Sequence, residues 1–129
     1  MSAGIPEDVH RFILHCIDSV EQLEILLLLH GSPGTDRSPE AVARELYSNP
    51  DSVARRLASL AAKDLLVAGH SPSTYRYQPK SPELAATVTR LADTYRERRV
   101  AVITLLASNP MDNVRAFSDA FRLRKKDSE

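Results

Sequence analysis

Apolar positions at helical spacing fill the first quarter of the chain. In residues 6–17 they fall at i, i+3, i+4 and i+7, which predicts a helix with one buried face. These positions are Val9, Phe12, Ile13 and Cys16. A second helix is predicted over residues 20–30, because Ser19 is a capping residue and Gln22 stands three positions later as its partner. This helix is apolar on nearly every side, so we expect it at the centre of the core.

Two short helices separated by a tight turn are predicted next. Each opens with a cap residue and a proline, Ser38-Pro39 for the first and Asn49-Pro50 for the second. The first extends to residue 47, and the second covers residues 50–63. The second helix has an apolar stripe at i, i+4 and i+7, formed by Val53, Leu57 and Leu60.

A short β-hairpin and a long helix complete the pattern. Residues 65–68 and 74–77 favour strands and flank a turn that contains glycine, serine and proline, which predicts an antiparallel pair. Ser81-Pro82 then opens a helix predicted over residues 82–107, on the order of 39 Å long. Its last part, residues 100–107, is apolar almost all round. A short helix and a basic tail are expected over residues 110–129.

Length and composition are typical of one globular domain over residues 1–129. The hydrophobic share is 43% and the charged share 26%. The first residues lack the basic and apolar segments of a secretory signal. The longest apolar run, residues 25–29, is far shorter than a membrane span. With a single cysteine, no internal disulfide can form. We therefore expect a cytoplasmic protein without a membrane partner.

Charge is unevenly distributed, although its formal total is zero. Residues 1–36 carry six acidic side chains and one basic one, whereas residues 37–80 carry seven basic and four acidic ones. The zero total argues against a nucleic-acid partner, but the basic surplus falls on the two short helices and the hairpin. The distribution therefore leaves a DNA contact open for that segment.

The order of elements over residues 43–66 carries a family resemblance. A helix, a polar cap with proline, a second helix and Leu65-Leu66 entering a hairpin together resemble the winged helix-turn-helix superfamily. The resemblance covers residues 20–80, and the helix at 82–107 is similar to the dimerisation helices of MarR-like and PadR-like bacterial transcriptional regulators. Tyr47 and Asp64 depart from the family pattern, because glycine is frequent at both positions.

The resemblance implies a mainly α fold with a small β-hairpin. Its parts are an N-terminal helix at residues 6–17, a winged helix-turn-helix core at residues 19–80 and a long C-terminal helix at residues 82–107. The short helix and basic tail at residues 110–129 lie beyond this pattern.

The resemblance also implies sequence-specific binding of double-stranded DNA, with the helix at residues 50–63 in the major groove. An arginine there can bridge a guanine edge, while serine and lysine reach bases or phosphates. The implied DNA-contacting residues are Ser52, Arg55, Arg56, Ser59, Lys63, Arg76 and Lys80. The alternative interpretation of the same residues is a solvated helix face.

The apolar segment at residues 100–107 has three interpretations. It can form the two-fold interface of a homodimeric transcriptional regulator. It can instead bind a partner protein, the chain then being a winged-helix interaction module without DNA binding, which the neutral total charge and short wing fit. It can also pack inside the monomer against residues 20–30. The residues concerned in a dimer interface are Val100, Val102, Ile103, Leu105 and Leu106.

No catalytic, cofactor or metal site follows from the remaining polar residues. The four histidines are not spaced as ligand pairs on one helix face, and Cys16 lies on an apolar face. No Ser/His/Asp set or pair of carboxylates can be argued from the spacing. We expect a protein that is not an enzyme and that has no cofactor.

Overall fold

Helices dominate residues 4–107, which is the part of the chain that this computed structural model describes. Within this range there are six helices and one pair of short strands. In chain order the elements are α1 (Glu7–Cys16), α2 (Val20–His30), α3 (Pro39–Leu46), α4 (Pro50–Ala62), β1 (Leu66–Ala68), β2 (Tyr75–Tyr77), α5 (Pro82–Glu97) and α6 (Arg99–Ala107). The expected mainly helical fold with a small β-hairpin is confirmed.

Side-chain caps fix the starts of α2, α3, α4 and α5. In each case the oxygen of a serine or asparagine accepts a hydrogen bond from a backbone N–H of the first turn, which otherwise has no partner. The capping residues are Ser19, Ser38, Asn49 and Ser81. In α3, α4 and α5 a proline follows the cap directly. The starts predicted at these positions are therefore confirmed.

Helix α2 lies at the centre of the core, as its sequence predicted. Its four apolar residues without exposed surface are Leu23, Ile25, Leu26 and Leu29. Helix α2 packs against α3, α4, α5 and β2. From α4 it meets the predicted apolar stripe, Val53, Leu57 and Leu60, each of which is completely buried. Because α2 has neighbours on all these sides, most of its positions are apolar, and its two glutamates, Glu21 and Glu24, lie where it is partly exposed.

The two strands form an antiparallel pair that a third short segment extends. Leu66 pairs with Tyr77 and Ala68 with Tyr75. On the other side of β2, Arg37 forms an isolated bridge to Tyr75, with N–O distances of 2.8 and 2.9 Å. This bridge was not predicted from the sequence, because one extended residue before α3 produces no periodic pattern.

The predicted continuous helix over residues 82–107 is wrong at Arg98. Helix α5 ends at Glu97 and α6 begins at Arg99, while Arg98 has a non-helical backbone with φ −131° and ψ 49°. In an unbroken helix, Arg98 would share a face with Tyr95 and Val102, which are both buried. Burial of an unpaired charge is costly, and the interruption leaves Arg98 exposed.

Tyr47 and Asp64 both have left-handed backbones, with φ of 55° and 67°. Tyr47 ends α3 and Asp64 follows α4, so the two positions where glycine was the expected residue do require its preferred conformation. The Tyr47 side chain is 97% exposed. No packing therefore compensates for the strain at this turn.

None of the helices in residues 4–107 combines the length and apolar character that a bilayer span requires. The short helix and basic tail expected over residues 110–129 lie outside the described residues.

Candidate nucleic-acid interface

One flank of α4 is held against the α1–α2 segment, residues 16–22, which runs from the end of α1 into the first turn of α2. This flank is formed by Ser52, Arg56, Ser59 and Lys63, spaced i, i+4, i+7 and i+11 along the helix. All four side chains are half-buried, and all four have polar partners between Cys16 and Gln22. The family resemblance implied DNA contacts for these four residues, and the structure brings them together on a surface that the protein itself partly covers.

Glu21 is the main partner of this flank. Its carboxylate accepts hydrogen bonds from the Ser48 hydroxyl, from the Ser52 hydroxyl at 2.6 Å and from Arg56 Nε at 3.1 Å. These donors, Ser48 first and then Ser52 and Arg56, lower the pKa of Glu21 below its ordinary value, although partial burial opposes them. Glu21 is therefore an anion held by three donors from the α3–α4 turn and α4.

Gln22 makes the second connection and is completely buried. Its Oε1 accepts from the backbone N–H of Asp18 at 2.7 Å, and its Nε2 donates to Ser59 Oγ at 3.2 Å. A buried amide needs such partners, because an unsatisfied polar group in the interior costs free energy. The Ser59 hydroxyl is consequently part of the packing between α2 and α4.

Lys63 lies at the C-terminal end of the flank. Its Nζ donates to the carbonyl oxygen of Cys16 at 2.7 Å and lies 3.8 Å from Asp18 Oδ2. Burial raises the pKa of the Cys16 thiol, and the nearby Lys63 charge only partly opposes this effect. The raised pKa disfavours the reactive thiolate.

The outward face of α4 has a different composition. Arg55 is exposed, and within residues 4–107 no hydrogen bond or ion pair holds its guanidinium group. Its exposed neighbours on the helix are Asp51, Ala58 and Ala62. The exposed Tyr47 ring lies in the turn just before α4. Arg55 is thus the one cation of the described α4 that faces solvent without an intramolecular partner.

The cations of the hairpin region are placed differently from one another. Arg76 Nη1 lies 3.3 Å from Asp36 Oδ1 and 3.2 Å from His70 Nδ1, so this side chain is held at the hairpin. The backbone N–H of His70 donates to the Asp36 carboxylate at 2.8 Å and is the main cause of the lowered pKa of Asp36. Lys80, by contrast, is exposed.

Within residues 4–107, five of the seven residues expected to contact DNA therefore have polar side-chain partners, whereas the side chains of Arg55 and Lys80 have none. No sequence pattern predicted that Glu21, Gln22 and Ser48 contribute to this region. Glu21 and Ser48 are 27 positions apart, and Gln22 and Ser59 are 37 apart. No local spacing signals such pairs.

The residues named for a dimer interface divide between core and surface. Val102 is completely buried and Leu106 is 5% exposed, so both belong to the core of the single chain. Val100 is 77% exposed, and Ile103 and Leu105 are half-buried. Of the five residues predicted for a dimer interface, Val100 and the accessible parts of Ile103 and Leu105 are therefore the ones that can contact another molecule.

Within residues 4–107, no group of three or more histidine, cysteine, aspartate or glutamate side chains is placed to hold a metal ion.

Comparison with known proteins identified no relative of this chain. No family model, curated protein or solved structure matches this chain.

Proposed function

We propose that this chain is a winged-helix protein that binds double-stranded DNA, with α4 as the recognition helix in the major groove. The observation that supports this proposal is the arrangement of α3, the turn at Tyr47, α4 and the hairpin, together with the bridge from Arg37 to β2. This arrangement leaves Arg55 exposed in the middle of α4. One fold serves many functions, so the exposed cation is what links the arrangement to DNA.

Arg55 makes the central contact in this proposal, as a bidentate donor to a guanine edge or as a phosphate ligand. Lys80 meets a backbone phosphate beyond the hairpin. Arg56 has only its Nε bound to Glu21, so its two terminal nitrogens remain as donors for a neighbouring phosphate. Ser52, Ser59, Lys63 and Arg76 contribute less than the sequence analysis expected, because each has a partner within the protein.

A homodimer fits the same proposal, with the exposed part of α6 as the two-fold interface. The contacting residues are Val100 and the accessible parts of Ile103 and Leu105. Two recognition helices then address half-sites about one helical turn of DNA apart, the arrangement of a bacterial transcriptional regulator acting in the cytoplasm. Light scattering on the wild type and on Val100→Asp tests the interface. A monomeric wild type at micromolar concentration contradicts the dimer.

The DNA proposal is tested by fluorescence anisotropy with a labelled duplex of random sequence at about 50 and 200 mM salt. We expect binding that weakens steeply with salt, and about tenfold weaker binding for Arg55→Ala. The control is Arg11→Ala on α1, which removes the same charge from an exposed side chain outside α4. Equal affinities for the two variants would remove Arg55 from the interface.

A second candidate function is a winged-helix module that binds a partner protein and not DNA. The observation that favours it is the occupation of the α4 flank by the α1–α2 segment, beside an outward face with two exposed alanines, Ala58 and Ala62. Absence of duplex binding even at the lower salt concentration would select this candidate. A pull-down that loses its partner on Tyr47→Ala or Val100→Asp would then locate the surface.

A further inference from the structure

The Glu21 carboxylate accepts hydrogen bonds from three donors at the edge of the proposed DNA interface. They are two serine hydroxyls, from Ser48 in the turn and Ser52 in α4, and Nε of Arg56. Hydroxyl and guanidinium groups are also the usual protein ligands of DNA backbone phosphates. The donor set that Glu21 occupies therefore has the composition of a phosphate contact.

The position of the set allows an external anion to reach it. The side chains of Glu21 and Arg56 are 25% and 34% exposed, so the ion pair lies at the protein surface. Glu21 stands in the first turn of α2 with its side chain partly exposed, so a change of its side-chain rotamer is the movement that would free the three donors. Gln22, by contrast, is completely buried and uncharged, so it belongs to the fixed packing.

We propose that Glu21 acts as an internal competitor of DNA, occupying through its carboxylate the Ser48, Ser52 and Arg56 donors that otherwise bind a backbone phosphate. This inference rests on the DNA-binding function proposed above. The contact limits the affinity of α4 for any duplex, because each binding event must first displace an anion that is tethered beside the donors. Glu21 thereby regulates sequence-independent affinity, while Arg55 on the outward face is unaffected.

The experiment compares Glu21→Ala with Glu40→Ala. Both glutamates occupy the second helical position after the cap, in α2 and α3 respectively, so both substitutions remove one negative charge from the same place relative to a helix start. Glu40 is exposed and has no polar partner within residues 4–107. Comparison of these two variants distinguishes the release of the Ser48, Ser52 and Arg56 donors from the general effect of removing one negative charge.

We expect Glu21→Ala to bind random duplex at least tenfold more tightly than wild type at about 50 mM salt, and Glu40→Ala less than threefold more tightly. One additional phosphate contact also steepens the logarithmic salt dependence by about 0.9. The gain in affinity should disappear when Arg56 is absent, so the double variant Glu21→Ala/Arg56→Ala should bind duplex no more tightly than Arg56→Ala. Thermal unfolding checks each variant, and Glu21→Gln, which keeps the side-chain shape without the charge, serves if the alanine variant is unstable.

The outcomes separate this inference from the proposed function. If the wild type binds DNA and both glutamate variants gain equally, the inference is overturned while DNA binding stands. If the wild type binds weakly or not at all and Glu21→Ala alone binds with a steep salt dependence, both are supported. If the wild type and all the glutamate variants fail to bind at low salt, both are overturned.

Discussion

Gln22 Nε2 lies 3.2 Å from Ser59 Oγ, and this hydrogen bond joins the start of α2 to the second half of α4. Gln22 has no exposed surface, and its Oε1 simultaneously accepts from the backbone of Asp18. The pair fixes how the α1–α2 segment lies along the flank of α4. It therefore determines which side chains of α4 remain available to a ligand.

Ser59→Ala should destabilise the protein by about 2 kcal/mol, because it leaves the buried Gln22 amide without its acceptor. Urea unfolding measures this loss. Gln22→Ala removes the amide itself, so Ser59→Ala should cost clearly less in that background. Additive losses in the double variant would show that the two side chains are not coupled in solution.

Tyr47→Gly should stabilise the fold by about 1 kcal/mol. The left-handed backbone at this position is unfavourable for a residue with a Cβ atom, and the exposed ring contributes no packing. The urea midpoint should rise without a change in the m value. Tyr47→Ala is the control, since it removes the ring but keeps the Cβ atom. An equal gain in both variants would place the effect in the ring and not in the backbone.

Val102→Ala should cost about 2 kcal/mol, because it leaves a cavity where α6 packs into the core. Val100→Ala, two positions away and 77% exposed, should change the stability by less than about 0.5 kcal/mol. Both are measured by urea unfolding. Similar small effects would mean that α6 does not pack on the rest of the chain in solution.

Acid should weaken the fold partly through Glu21. Its folded pKa lies below the ordinary value of 4.5, so its ionised form contributes stability that is complete above about pH 4.5 and is lost as pH falls through the lowered folded pKa. Unfolding free energies measured between pH 6 and pH 3 should therefore fall less steeply for Glu21→Gln than for wild type. Glu40→Gln, which removes the charge of an exposed glutamate at the same helical position, is the control variant.

The sequence by itself determined the helices and strands from α1 to β2, their order, and the start of α5. Caps followed by proline defined the starts of α3, α4 and α5, and the uniform apolar character of α2 predicted its central position. Caps and apolar periods are local signals, because each depends on residues within a few positions of each other. The left-handed turns at Tyr47 and Asp64 fall where the family that the sequence resembles frequently has glycine.

The tertiary structure alone decided which cations of α4 stay available. Arg55 and Arg56 are adjacent and equally basic in the sequence, yet Arg56 binds Glu21 and Arg55 faces solvent. The break at Arg98 is also tertiary, since burial of its neighbours Tyr95 and Val102 makes a charged residue unacceptable on that face. Arg56 and Glu21 are 35 positions apart, so no periodic pattern predicts their contact. The burial of Tyr95 and Val102 depends on how the helices pack, which the spacing of residues along the chain does not fix.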